Sequence, residues 1–207
     1  KLGQLKANAE SIELVDKFND ASELSFTINK YTDGKLTPLW DKIVDFKLVY
    51  CKEWDTWFEI TVELDEATET VKTVFCTQLG KAELSQIMLY GVEINTEEDI
   101  EREDYKISIL YDRIDPEASI LNRILRDKAP HYSIEYVSTS IARIQRSFSF
   151  DDISIYDALQ EIGEEIGCLF IFHSNSGENG KIQRTISVYD LQQNCNNCGH
   201  RGEFTDK

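Results

Sequence analysis

The sequence predicts an α+β fold in which a β-barrel- or sandwich-like first part, residues 1–112, precedes a helix-bearing α/β part, residues 113–191. Residues 192–207 form a short polar tail that carries two cysteines. Three observations lead to this division. Apolar residues alternate with polar ones through much of the first hundred positions, the period of strands with one wet face. After Asp115-Pro116 the apolar spacing becomes that of amphipathic helices. A glycine, Gly167, then hands the second helix directly to a short aromatic run.

In chain order, Leu24-Ser25-Phe26-Thr27-Ile28 is the first clear strand, with apolar side chains at every second position. Pro38 to Ile43 reads as a short apolar turn, after which Phe46, Leu48 and Tyr50 repeat the strand pattern. Phe58, Ile60, Val62 and Leu64 continue it. An acidic turn, Asp65 to Glu69, leads into the β-branched run Thr70 to Phe75, so these two segments predict a hairpin. Gln86 to Tyr90 and Lys106 to Tyr111 complete six expected strands.

Asp115-Pro116 has the form of an N-cap followed by proline at the first helical position, where its missing N–H costs nothing. Ile120, Leu121, Ile124 and Leu125 supply the apolar stripe, and Pro130 closes the helix. Ser154 and Asp157 form a capping-box-like pair for a second helix, with Ile155, Ala158, Leu159, Ile162 and Ile166 on one face. Cys168 to Phe172 is uninterrupted and apolar, predicting a strand buried on both faces. His173 to Gly180 reads as a loop, and Ile182 to Tyr189 as a returning strand.

The chain carries 38 acidic against 22 basic residues, a formal net charge of −16. Nucleic-acid affinity rests largely on Lys and Arg displacing counterions, so sequence-specific nucleic-acid binding is disfavoured. The plain meaning of the excess is a solubilising surface. Charges interrupt the first twenty residues, leaving no secretory signal core, and no later apolar run is long enough to predict a membrane span. The chain opens on Lys1 without an initiator Met, from which a trimmed or partial product is expected.

Three phrases carry a family resemblance: Phe18 to Ile28, Gly91 to Ile100, and Ser147 to Asp151 leading into Ser154-Ile155-Tyr156-Asp157-Ala158-Leu159. Together, from Asp20 to Gly167, they resemble the N-terminal part of phage and prophage tail-tip proteins of the tail-associated (prophage endopeptidase tail) family. The resemblance implies a baseplate-hub-like fold, with tail-tube-like β domains and α/β elements. It further implies a homotrimer in the virion tail, made in the bacterial host cytoplasm, that continues the tail tube, contacts the distal tail protein and closes the channel before DNA ejection. An isolated fragment is free to be monomeric. In such a ring an acidic inner wall would let DNA slide past. Many relatives carry a peptidoglycan hydrolase or host-binding fibre further along, and this chain is expected to stop before any such region. The expected role is therefore structural, without turnover. The alternative is a tail-associated cell-wall endopeptidase in which this chain takes part in cleavage.

The residues themselves offer little for an enzyme. No Gly-x-Ser-x-Gly elbow, phosphate loop or His-Glu-x-x-His helix is present. His131 beside Pro130 and His173 at a loop start read as surface or capping groups. The acidic run Glu97 to Asp104 lacks the glycine turn and alternating spacing of a calcium loop and reads as a solvated connection. Cys51, Cys76 and Cys168 lie in apolar stretches, where free cysteines act as small hydrophobes. Cys195 and Cys198 are the one metal candidate: Cys195-Asn196-Asn197-Cys198-Gly199 has the form of a zinc knuckle. A structural zinc needs four ligands, so this pair is half of a zinc ribbon whose other cysteines would lie downstream, or two inert thiols, or a redox pair. The polar, Asn-rich flanks disfavour the last, because redox pairs normally open a helix.

Overall fold

Alternation of side chains along extended backbone builds the first sheet, and the computed structural model describes it within residues 9–17, 20–64, 69–177 and 180–191. β1 (Ala9–Val15) and β2 (Glu23–Asn29) pair antiparallel. A small hairpin follows, β3 (Tyr31–Thr32) and β4 (Lys35–Leu36), around Asp33 and Gly34, both at positive φ as a tight primed turn requires. β5 (Leu48–Cys51), β6 (Thr56–Leu64) and β7 (Val71–Gln78) complete a five-stranded antiparallel sheet ordered β1-β2-β7-β6-β5. It curls into a half-barrel. Its inner face buries Leu24, Phe26, Ile28, Phe58, Ile60, Val74 and Cys76 beneath Trp40 and Ile43 of a 3-10 turn. Lys72 also lies inside. Its ammonium donates to the Trp40 and Ile43 carbonyls, both at 2.8 Å, and sits 4.5 Å from the Trp40 ring centre. Those carbonyls and the ring face stand in for water, although burial still lowers the Lys72 pKa.

The second part is built from short pieces around a larger core. α1 (Leu79–Leu84) leaves β7 directly, followed by β8 (Met88–Leu89), β9 (Val92–Ile94) and α2 (Glu97–Ile100). After a 3-10 turn at Pro116–Ala118 come α3 (Ile120–Leu125), β10 (Tyr132–Val137), β11 (Phe148–Phe150) and β12 (Ile153–Ser154). α4 (Ile155–Ile166), β13 (Cys168–Ser176) and β14 (Ile182–Asp190) end the described chain. β14 lies between β13, antiparallel to it, and β10, parallel to it. The local signals for α4 hold: Ser154 Oγ accepts the Asp157 N–H at 3.1 Å, and Gly167 ends the helix at φ 76. Its Ile155, Leu159, Ile162 and Ile166 are buried in one cluster with Phe170, Phe172, Ile186 and Val188 of the sheet.

Several expectations are corrected. Lys106 to Tyr111 forms no strand among the described residues beyond a single bridge, Ile109 to Ser119, because Leu110 and Tyr111 donate to the Ile144 and Ala142 carbonyls of a separate loop. Gln86 to Tyr90 shrinks to the two residues of β8. Asp115 caps only the 3-10 turn, while α3 starts on Ser119, whose hydroxyl accepts the Asn122 N–H. β13 buries alternate residues rather than both faces, Ile171 being 36% exposed, and it runs on to Ser176 through the expected loop. Phe46 lies outside β5. Most of the two apolar clusters part near Gln78, with Leu84, Leu89, Ile94 and Leu110 packing with the second. No helix among the described residues is long and apolar enough to cross a membrane.

Candidate functional site

Cys195 and Cys198, the metal-ligand candidates, lie outside the described residues. Among the described residues no group of three or more His, Cys, Asp or Glu side chains is placed to hold a metal ion. Cys76 and Cys168 are buried, and burial pushes both thiols up to about 12, so neither forms a ready thiolate. His173 Nε2 is 3.2 Å from the Ser187 hydroxyl, and His131 lies 3.8 Å from Glu83 with its ring against Tyr132. The acidic run is partly structural. Asp99 is buried and receives both terminal nitrogens of Arg123, at 2.7 and 2.8 Å, together with the Asn95 N–H. The hydrogen bond from Arg123 first, and then that from Asn95, hold the Asp99 carboxyl below the usual range against the opposing pull of burial.

One polar cluster ties the approach to the first sheet to the second core, and another fastens α1 within the second part. Burial pushes the Asp20 carboxyl up, but hydrogen bonds from Lys81, Tyr156 and the Ala21 N–H reverse this and hold it at about 2. Lys81 Nζ and the Tyr156 hydroxyl both reach Asp20 Oδ1 at 2.7 Å, joining the approach to β2 with α1 and α4. Glu83 of α1 accepts a two-pronged bond from Arg184 of β14, both contacts at 2.6 Å, and the Tyr132 hydroxyl of β10 at 2.7 Å. Burial raises the Tyr132 pKa strongly, with Glu83 adding to it, so the phenol stays a donor. Gln78 donates to the Phe172 carbonyl, and the Ser174 hydroxyl accepts the Trp57 N–H. A β-carbon on Gly80 would lie 2.6 Å from the Phe172 Cβ, so α1 packs there only as glycine. These contacts position the two parts and assemble no nucleophile with a base.

The remaining features lie on the first sheet's surface. Register places Glu13, Ser25, Phe75 and Thr61 in one outward row and Glu23, Thr77, Glu59 and Leu48 in the next, with Glu63 beyond. The outer face is thus acidic and hydroxyl-rich. At the β5 margin, Val62 donates to Asp45 Oδ1 at 2.7 Å, Phe46 donates to the Ile60 carbonyl at 2.9 Å, and Ile60 donates to the Lys47 carbonyl at 2.8 Å. This bulge sets Phe46 at φ 61 with its ring 77% exposed. Sequence pattern alone read Phe46 as one more strand position. The polar clusters were equally hidden, because Asp20 and Tyr156 are brought together only by the fold.

A curled antiparallel sheet joined through a short helix to a mixed sheet with one long packed helix is the class that the chain defines. The same fold is found in the prophage tail protein gp18 from Listeria monocytogenes EGD-e, with a TM-score of 0.51 and 11% sequence identity over 86% of this chain and 44% of that chain. The chain thus spans less than half the length of that protein. No family model matches the sequence, and no curated protein matches it.

Proposed function

We propose that this chain is a structural component of a bacteriophage or prophage tail: a tail-tip, baseplate-hub piece that assembles around the tail axis, joins the tube to the distal tip and gates DNA ejection. The observation that carries the reading is the fold shared with a prophage tail protein over most of this chain. An acidic, hydroxyl-rich sheet face supports it further, because the exposed Glu13 and Glu63 would repel passing phosphates rather than hold them. In this reading the chain works by assembly and not by turnover, its partners are further copies of itself, the distal tail protein and the tail tube, and any wall hydrolysis belongs to another region. The test is to mix the purified chain with the distal tail protein of the same genome and follow mass by light scattering. Ring-sized complexes are expected. Absence of association at tens of micromolar, where even weak specific contacts register, would sink the proposal. Release of fragments from Gram-positive cell walls by the purified chain would move the assignment to the endopeptidase alternative.

A further inference from the structure

The interior of the first sheet is closed by one short segment. Among the described residues, every buried member of its apolar cluster comes from β2, β6 or β7 except Trp40 and Ile43, which are 5% and 3% exposed. The stretch carrying these two is tied to the sheet at its ends. The Thr37 N–H donates to the Lys30 carbonyl at 2.7 Å, and the Phe46 N–H donates to the Ile60 carbonyl at 2.9 Å, next to the Asp45 bond on Val62. Between these ties the N–H groups of Trp40, Lys42 and Ile43 bond to Thr37, Leu39 and Trp40 of the same turn and to no strand. The turn therefore carries its own backbone bonds with it wherever it sits.

Lys72 supplies the tie that the backbone does not. It lies in line with Val74 and Cys76 on the inner face of β7, the central strand of the five, where the pattern calls for an apolar residue. Its side-chain hydrogen bonds and its ring contact all go to the turn, at the Trp40 and Ile43 carbonyls and the Trp40 ring. Two charged neighbours act on it, Asp41 of the same turn, which favours the ammonium, and Lys30, which opposes it. Leu39, at the start of the turn, stands at φ 73, which crowds its β-carbon. Opening would release that crowding and return the ammonium and both carbonyls to water, offsetting part of the burial lost with Trp40 and Ile43. Strain balanced against burial in this way is a property of segments with two arrangements.

We infer that the turn at residues 40–43 is a lid on the first core that opens as a unit while the sheet stays paired, and that Lys72 is its latch. The inference concerns this chain alone and goes beyond the tail reading. An open lid exposes the apolar interior of the sheet, the Cys76 thiol included, at less cost than unfolding the strands. Cys168 lies in the second core, which the lid does not cover.

The experiment treats the full chain with iodoacetamide at about pH 8 and follows each cysteine by mass spectrometry through a urea series below the unfolding transition. Cys76 and Cys168 form a matched pair, both buried and both with thiols pushed up to about 12. Cys76 is expected to react at least about tenfold faster than Cys168, at a rate nearly independent of urea, because a small opening exposes little surface. The amides of β2, β6 and β7 should stay protected from hydrogen exchange while this happens. Lys72→Met, nearly the same length, leaves both carbonyls without their donor under the closed lid and should speed the Cys76 reaction about tenfold or more with Cys168 unchanged. Equal reaction of the two thiols with one steep urea dependence, or strand amides exchanging together with Cys76, would show that no separate lid exists. A Cys76 rate that is unchanged or slower in Lys72→Met, or that rises together with the Cys168 rate, overturns the latch.

Discussion

The two parts of the molecule differ in how they use apolar residues and backbone strain. The second core gathers its large side chains from α1, α3, α4 and the mixed sheet, with Leu84, Leu121, Ile124, Ile155 and Leu159 fully buried. The first sheet closes over a smaller cluster beneath a 3-10 turn, and both parts leave large apolar side chains in solvent, Phe46 and Ile12 in the first and Ile114 and Tyr90 in the second. Strain follows the same division. Among the described residues, the non-glycine positive-φ positions Ser11, Asp33, Leu39, Phe46, Asp55 and Glu69 fall in the first part, against Asn95 and Asp152 in the second. The second part behaves as the anchor and the first as the presented surface. A sheet bearing exposed edges and strained loops needs such a rigid body to hold it.

The comparison breaks most severely where the anchor contains charge. Arg123→Ala would leave Asp99, 1% exposed, with only the longer 3.5 Å contact to the exposed Arg102 in place of its two-pronged partner. Removing one partner of such a buried pair costs about 3–5 kcal/mol, to be read from urea unfolding. A loss under about 1 kcal/mol would mean water reaches Asp99 and the second part is looser than its packing implies. Leu159→Ala should cost roughly 2–5 kcal/mol through lost transfer and the cavity left under α4.

Gly80→Ala tests the joint between the two parts. The added methyl meets the Phe172 Cβ, which cannot swing aside, so overpacking of about 1–3 kcal/mol is expected. If the parts are held chiefly by polar contacts, tryptophan fluorescence, which includes the Trp57 whose backbone N–H donates to Ser174, will shift at lower denaturant than circular dichroism in this variant. Coincident transitions would show a single cooperative unit.

What the sequence made legible follows the range of the interactions. α4 was plain because Ser154, Asp157 and Gly167 act within a few residues of the helix they bound. β2, β6 and β7 were plain because alternation survives wherever one face is buried. Lys106 to Tyr111 misled because its alternation has the strand period while its main chain bonds to loops instead of a neighbouring strand. β13 misled in the opposite sense, since an apolar Ile171 on the wetter face erased the period. The Asp20, Lys81 and Tyr156 cluster had no local signature at all. Cys195 and Cys198 had the clearest chemical motif and fall outside the described residues.

That cluster gives a pH test smaller than the core substitutions. The folded Asp20 carboxyl stands at about 2 against 3.8 for an unperturbed one. A depressed folded value means that its contribution is complete above the unfolded value and is lost as pH falls from about 4 towards 2. Asp20→Asn should therefore lower stability modestly at neutral pH and flatten the stability curve across that acid window. Parallel curves for the native chain and the variant would show that Asp20 is not coupled to Lys81 and Tyr156 as the geometry implies.

The smallest expected effect has the opposite sign. Each substitution above disturbs packing or a contact that the fold uses, whereas Phe46→Gly removes a ring from water and a side chain from a left-handed backbone. Relief of the β-carbon clash is worth roughly 1–2 kcal/mol, and the larger entropy of glycine in the unfolded chain returns up to about 1 kcal/mol of it. A net gain of a few tenths to about 1 kcal/mol is expected in dilute chain, read as a higher urea midpoint with an unchanged slope. The bulge is held through backbone bonds at Phe46, Lys47 and Ile60 and through the Asp45 side chain, none of which involves the ring, so it should persist. A destabilised Phe46→Gly would show that the ring packs on the sheet in solution, and the contrast between a strained presenting sheet and a relaxed anchor would then fail at its sharpest point.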